Sequence, residues 1–188
     1  MDAFSYLSVL LSIILGLAIT QVLQGLGRLM QARRRVVLYW PPVVLAVMLL
    51  VTFVQTWWAM FGLRTYADWT FARFGVVLLQ TIFSYLQAAL VLPEIPAEGE
   101  VDLRAAYFDN ARWLFSMVLA GTLTSLAKDL VLSGHLPEPT NVGFHLFWIA
   151  LSAIAMVTRR EWLHKLLVLC VAAGISLYIV LLFTRLPS

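Results

Sequence analysis

Polar side chains recur at helical spacing inside strongly apolar stretches of the chain, and they are the first candidates for chemistry. Gln80, Ser84 and Gln87 follow one another at steps of four and three residues, and Thr52 and Gln55 are three apart. Each group therefore shares one face of a helix. An amide that faced lipid would leave its donors unpaired, which costs free energy. These faces are predicted to point into a helix bundle, where interhelical hydrogen bonds and a lined cavity are the two interpretations.

Two adjacent ionisable residues, Lys128 and Asp129, interrupt another apolar stretch. Ionisable groups inside a membrane are rare and are functional candidates by default. Neighbouring helical residues point about 100° apart, so the two are predicted not to pair simply with each other. Lys128 can extend to the interface, whereas the shorter Asp129 is predicted to face the interior and bond with Ser125, His145 or Gln55.

These residues define a candidate polar pocket near the outer side of the membrane. Its predicted members are Ser8, Gln55, Gln80, Lys128, Asp129 and His145. The other two histidines, His135 and His164, are predicted to lie in solvated loops. The alternative for His145 is a hydrogen-bonded structural residue.

The first apolar stretch carries small or polar residues at every fourth position. This small-residue stripe comprises Ser8, Ser12, Gly16, Thr20 and Gln24. Small residues let helix backbones approach closely in lipid, so the stripe is predicted to be a helix-packing face. The wall of a polar pathway is the alternative.

Signatures of catalysis are absent from the sequence. The histidines lack metal-ligand spacing, and there is no HExxH motif, paired cysteine, nucleophile elbow or glycine-rich phosphate loop. The single cysteine, Cys170, lies in an apolar stretch, as an inert thiol would. We therefore expect no enzymatic activity, no metal and no cofactor.

The composition indicates which elements must position these residues. Hydrophobic residues make up 62% of the 188 and charged residues 12%, whereas a soluble domain is nearer half apolar and a quarter charged. Long runs without charge reach or approach the roughly 20 residues that a helix needs to cross a bilayer. The sequence predicts an all-α, polytopic integral membrane bundle in a single domain 1–188, with about six transmembrane helices near 4–30, 40–62, 73–93, 112–133, 141–158 and 163–184. Residues 94–112 are predicted to form the longest loop, with a short interfacial helix near Leu103, Tyr107 and Phe108.

The distribution of Lys and Arg predicts the orientation. Nine of the thirteen lie in the first, third and fifth loops or beside them, and four lie on the other side. The positive-inside rule then places the odd loops in the cytoplasm and both termini outside. Basic residues at segment ends, with a net charge of only +3, fit membrane topology better than nucleic-acid binding.

Three segments together resemble a set of small, uncharacterised bacterial inner-membrane proteins. They are GLAITQVLQGLGR from Gly16 to Arg28, the Trp57–Trp58 pair, and Gly99 to Arg104. The resemblance spans most of the chain and implies a six-pass protein of the bacterial inner membrane. It implies no activity and no functional residue.

Two functions fit these patterns. The polar faces and Asp129 favour a small channel or transporter for an ion or polar solute. The small-residue stripe favours a non-catalytic accessory or assembly subunit of a membrane complex. The expected partners are lipid and either a second copy of the chain or a membrane partner subunit.

Overall fold

The computed structural model describes residues 3–66, 68–96 and 98–182. The described chain is almost entirely helical. Its helices are α1 (Ala3–Gln31), α2 (Trp40–Met60), α3 (Phe71–Val91), α4 (Leu103–Ser133), α5 (Pro139–Val157) and α6 (Glu161–Leu182). A 3-10 helix at Phe61–Thr65 extends α2, and two short strands are β1 (Val36–Val37) and β2 (Val101–Asp102).

All six helices are long and apolar enough to cross a membrane. Large hydrophobic side chains remain exposed on their outer faces, among them Val9, Leu17, Val54, Leu169 and Val180. A monomeric soluble protein rarely exposes apolar surface on that scale, whereas lipid covers it without cost. The chain is a multi-pass membrane protein, and the predicted all-α bundle of six helices is confirmed.

The fourth helix begins nine residues earlier than predicted. Asp102 caps it, because one carboxylate oxygen accepts hydrogen bonds from the backbone N–H groups of Arg104 (2.7 Å) and Ala105 (3.2 Å). Such a cap satisfies donors that the first turn cannot bond internally. The separate interfacial helix predicted around Tyr107 is therefore wrong. Those residues are the first turns of α4, which at 1.5 Å per residue is roughly 46 Å long.

Helices α2 to α6 form a ring around the interior, and α1 lies outside this ring. Around the ring, α3 packs against α4, α4 against α5, α5 against α6, α6 against α2, and α2 against α3. Helix α1 packs across α3 and α2. It therefore covers one side of the ring and leaves its own outer face towards lipid.

Three connections meet at one end of the bundle, called here the basic end; their described residues are 32–39, 92–96 with 98–102, and 158–160. Strands β1 and β2 pair in parallel, with Val36 opposite Val101. The Arg35 guanidinium donates to the carbonyl oxygens of Pro96 (3.3 Å) and Gly99 (3.2 Å). Arg104 contacts Glu161 at 2.7 Å, which ties α4 to α6. The predicted odd loops thus share one end.

The small-residue stripe does not pack against another helix within the described part of the chain. The buried face of α1 comprises Leu11, Leu15, Ala18, Val22, Gly25 and Leu29, whereas Ser12, Thr20 and Gln24 are exposed. Ser8 is only half-buried, and a Cβ built on Gly16 would meet nothing within 4 Å. The predicted packing face is therefore wrong within one chain, because α1 presents its leucine-rich side to the ring. Close approach occurs instead at Gly25, where a Cβ would lie 3.0 Å from Leu92 Cδ1.

Candidate functional site

A cavity of about 180 Å³ lies inside the ring of α2 to α6. Its apolar wall includes Leu45, Phe115, Trp148 and Ile175. Its polar wall comes from all five helices: Thr52, Gln55, Thr56, Gln80, Ser84, Gln87, Thr122, Ser125, His145 and Tyr178. A site this polar and this large has room for several water molecules, each of which needs two to four polar partners.

The polar faces predicted for α2 and α3 both line this cavity. Gln80, Ser84 and Gln87 lie together on one wall because steps of three and four residues keep them on one helical face. Thr52 and Gln55 do the same on α2. The sequence pattern thus located the interior face of both helices.

Most hydroxyl groups of the wall are already bonded to their own helices. Thr52 donates to Met48 O (2.9 Å), and Ser84 donates to Gln80 O (3.2 Å). The Gln87 amide donates across to Met117 O on α4 at 3.1 Å. In contrast, the Gln55 and Gln80 side chains form no hydrogen bond with any described residue. Two amides therefore retain both donor and acceptor capacity at the cavity wall.

His145 is 5% exposed and lines the cavity from α5. Its Nδ1 lies 2.8 Å from the carbonyl oxygen of Asn141 one turn earlier. A carbonyl only accepts, so Nδ1 carries the proton. In the neutral tautomer with the proton on Nδ1, Nε2 keeps a lone pair, and no described residue bonds that atom.

The structure divides the predicted polar pocket into two groups. Gln55, Gln80 and His145 meet at the cavity, whereas Ser8, Lys128 and Asp129 do not line it. Ser8 is excluded because α1 lies outside the ring, and its hydroxyl donates to Ser5 O at 3.0 Å. The prediction that all six residues form one pocket is therefore wrong.

Lys128 and Asp129 lie beyond Ser125, the last residue that α4 contributes to the cavity wall. Contrary to prediction, they approach each other, with Lys128 Nζ 3.9 Å from Asp129 Oδ1. The lysine side chain is long enough to span the roughly 100° between the side-chain directions of neighbouring helical residues. Neither the Ser125 nor the His145 bond predicted for Asp129 is present among the described contacts.

A second polar centre, which the sequence did not reveal, lies nearer the basic end. His164 was predicted to be solvated, but it is 0% exposed. Its Nε2 donates to Thr158 O (2.9 Å), so Nδ1 accepts from the Tyr107 hydroxyl at 2.8 Å. Both ring nitrogens are satisfied, which is what complete burial of a histidine requires.

Aromatic rings enclose this histidine. The ring centroids of Phe108, Tyr107 and Phe115 lie 5.0, 5.5 and 6.2 Å from that of His164. Tyr39 packs on Tyr107 at 5.9 Å, and desolvation raises the pKa of its buried hydroxyl. We call these five residues the His164 cluster. Since Phe115 also lines the cavity, the cluster forms the wall between the cavity and the basic end.

Within the described residues, no three His, Cys, Asp or Glu side chains come together in a way that could hold a metal ion. In comparisons with known proteins, no protein-family model matches the chain, and no curated protein or solved structure is similar to it. The cavity is therefore the feature of the described residues that bears on function.

Proposed function

We propose that the protein is a small channel or transporter that moves a polar solute or an ion across a membrane, with the central cavity as its binding site. One observation carries the proposal. Five helices direct polar groups into a shared space, and the amides of Gln55 and Gln80 have no described protein partner there. Polar groups inside a membrane bundle are normally hydrogen-bonded, so these half-buried amides require water or a solute.

Cysteine labelling tests whether that space is reachable from water. Ser125 lines the cavity, whereas Ser12 lies on the lipid-facing side of α1, so serine-to-cysteine changes at these positions form a matched pair. Cys170, the native thiol, is first replaced by alanine. Because a thiolate reacts and lipid disfavours it, the small uncharged reagent methyl methanethiosulfonate should modify Ser125→Cys and leave Ser12→Cys unmodified.

Flux measurements on vesicles that contain the same variants test the transport function. Modification of Ser125→Cys should block the flux of small solutes that the unmodified protein supports, and treatment of Ser12→Cys should leave it unchanged. The proposal fails if Ser125→Cys stays unmodified, or if its modification leaves flux intact.

An accessory or assembly subunit is the second candidate. The small-residue stripe favours it, because Ser12, Thr20 and Gln24 lie exposed on a face that no other helix of the chain covers. Small and polar residues of this kind support contact between helices of different chains. Loss of a native complex on Gly16→Leu, with cavity variants assembling normally, would favour this function.

The membrane and orientation belong to the same proposal. The asymmetry of Lys and Arg supports a cytoplasmic basic end and outer termini. The resemblance of three sequence segments to bacterial inner-membrane proteins supports that membrane. A cysteine beside Arg34 should resist an impermeant reagent added to intact cells, and one at Ser188 should react. The reverse result would invert the orientation.

A further inference from the structure

The cavity wall contains polar groups but no carboxylate, ammonium or guanidinium group. Its lining residues include amides, hydroxyls and one imidazole, and none is Asp, Glu, Lys or Arg. The nearest ionisable pair in α4, Lys128 and Asp129, lies outside the lining and is mutually engaged at 3.9 Å. An ion entering this space would find no carboxylate, ammonium or guanidinium among the lining residues to offset the loss of its hydration.

Backbone carbonyls cannot replace that missing charge. Selectivity filters and many transporter sites coordinate ions with carbonyls freed by non-helical backbone. Here every segment that lines the cavity lies within the continuous helices α2 to α6, whose carbonyls are engaged in helical bonding. The groups left for a ligand are side-chain dipoles.

Three of those dipoles occur at a similar depth. At 1.5 Å per residue, Gln55, Gln80 and His145 lie roughly 22, 16 and 18 Å from the ends of their helices at the basic end. Gln55 and Gln80 each offer a donor and an acceptor, and His145 offers its Nε2 atom. Phe144 and Trp148 add apolar surface beside them. Together they suit a molecule that both donates and accepts hydrogen bonds.

We infer that the solute is a small, uncharged molecule with hydroxyl or amide groups, bound between Gln55, Gln80 and His145. This inference rests on the proposed function and specifies its substrate class. The cavity of about 180 Å³ limits the solute to a few heavy atoms. Discrimination against ions follows from the neutral wall, because a buried charge without a partner costs more than a buried hydroxyl with one.

Solute flux in vesicles tests the inference. The full chain is reconstituted in phosphatidylcholine and phosphatidylglycerol, and urea and glycerol permeation is followed by stopped-flow light scattering. Potassium and chloride fluxes are measured in the same preparation. The wild type should pass urea or glycerol above the protein-free rate and pass neither ion.

The decisive variant is Gln55→Leu/Gln80→Leu, and Gln24→Leu on the exposed face of α1 is its matched control. We expect urea or glycerol flux through the double variant to fall about tenfold, the effect of losing roughly two net hydrogen bonds. The control should behave as wild type. Monodisperse elution from size-exclusion chromatography and an unchanged thermal midpoint verify that the double variant is folded. If the leucine variant misfolds, Gln55→Met/Gln80→Met replaces it, because methionine side chains are flexible.

Other results separate the inference from the proposed function. Suppose that the wild type passes potassium or chloride, that the double variant does not, and that urea and glycerol permeate at the protein-free rate. This result would overturn the inference of an uncharged solute and leave the transport proposal standing. Urea or glycerol flux that is equal in the wild type and the double variant would overturn the binding site. Absence of any protein-dependent flux would overturn both.

Discussion

The two buried histidines, His145 and His164, have different environments although both are nearly inaccessible. His164 has a partner for each ring nitrogen and rings packed around it. His145 has one nitrogen bonded to its own helix and the other without a described partner at a cavity. Burial alone therefore does not identify a functional site in this bundle. For these two histidines, the pairing of both ring nitrogens distinguishes the structural residue from the candidate ligand group.

The largest expected effect on stability is at the His164 cluster. His164→Ala removes a packed ring and leaves the Tyr107 hydroxyl and the Thr158 carbonyl without their partner, so we expect a loss of about 3 kcal/mol in the free energy of unfolding. His145→Ala should cost clearly less, because its Nε2 has no protein partner to lose. Unfolding in mixed micelles with increasing SDS measures both. Equal losses would remove the distinction between the two centres.

A smaller effect is expected for the hydroxyl that bonds His164. Tyr107→Phe keeps the ring contacts and deletes only the donor at 2.8 Å from His164 Nδ1. A buried acceptor left unsatisfied costs about 1–2 kcal/mol. Tyr85→Phe on the exposed face of α3 is the control and should be neutral. If Tyr107→Phe is neutral as well, the hydrogen bond contributes nothing to the cluster.

The ion pairs beside the cluster should matter less. Glu161 contacts Arg104 at 2.7 Å and Lys165 at 2.8 Å, and all three side chains are at least one-third exposed. Exposed pairs contribute about 0–1 kcal/mol, and salt screens them. Glu161→Gln should therefore lower stability slightly at low salt and not at high salt. A large, salt-independent loss would make these pairs part of the structural centre.

The smallest effect on stability is expected at the cavity wall. Gln80→Leu keeps the volume and leaves no described protein group unpaired, so the free energy of unfolding should change by less than about 1 kcal/mol. The same variant should reduce solute flux. A loss comparable to that of His164→Ala would mean that Gln80 holds the bundle together and is not a ligand group.

The sequence identified the helices and the inner faces of two of them, for physical reasons. Long charge-free runs can only be spans, and Gln80 or Gln55 could not face lipid without cost. The position of α1 outside the ring could not be predicted, because a small-residue stripe has the same pattern whether it faces a helix or lipid. Ser8 was misplaced for that reason.

The His164 cluster was missed because its decisive contact is distant in the chain. His164 follows Arg159, Arg160 and Glu161, which resemble a solvated loop. Its partner Tyr107 lies 57 residues away and was placed in an interfacial helix. The available signal that α4 starts early was Asp102, a preferred N-cap residue, directly before Leu103 and Tyr107, which lie four residues apart on one helical face.

Radiolytic footprinting tests most directly whether one centre is hydrated and the other sealed. Tyr178 lines the cavity and Tyr107 belongs to the His164 cluster, so the two tyrosines are a matched pair. Each is oxidised by X-ray-generated hydroxyl radicals in lipid nanodiscs, and its rate is divided by the rate after unfolding in SDS. Water in the cavity should give Tyr178 a clearly higher normalised rate than Tyr107. A rate for Tyr178 as low as that for Tyr107 would mean a dry interior and would contradict a solute site there.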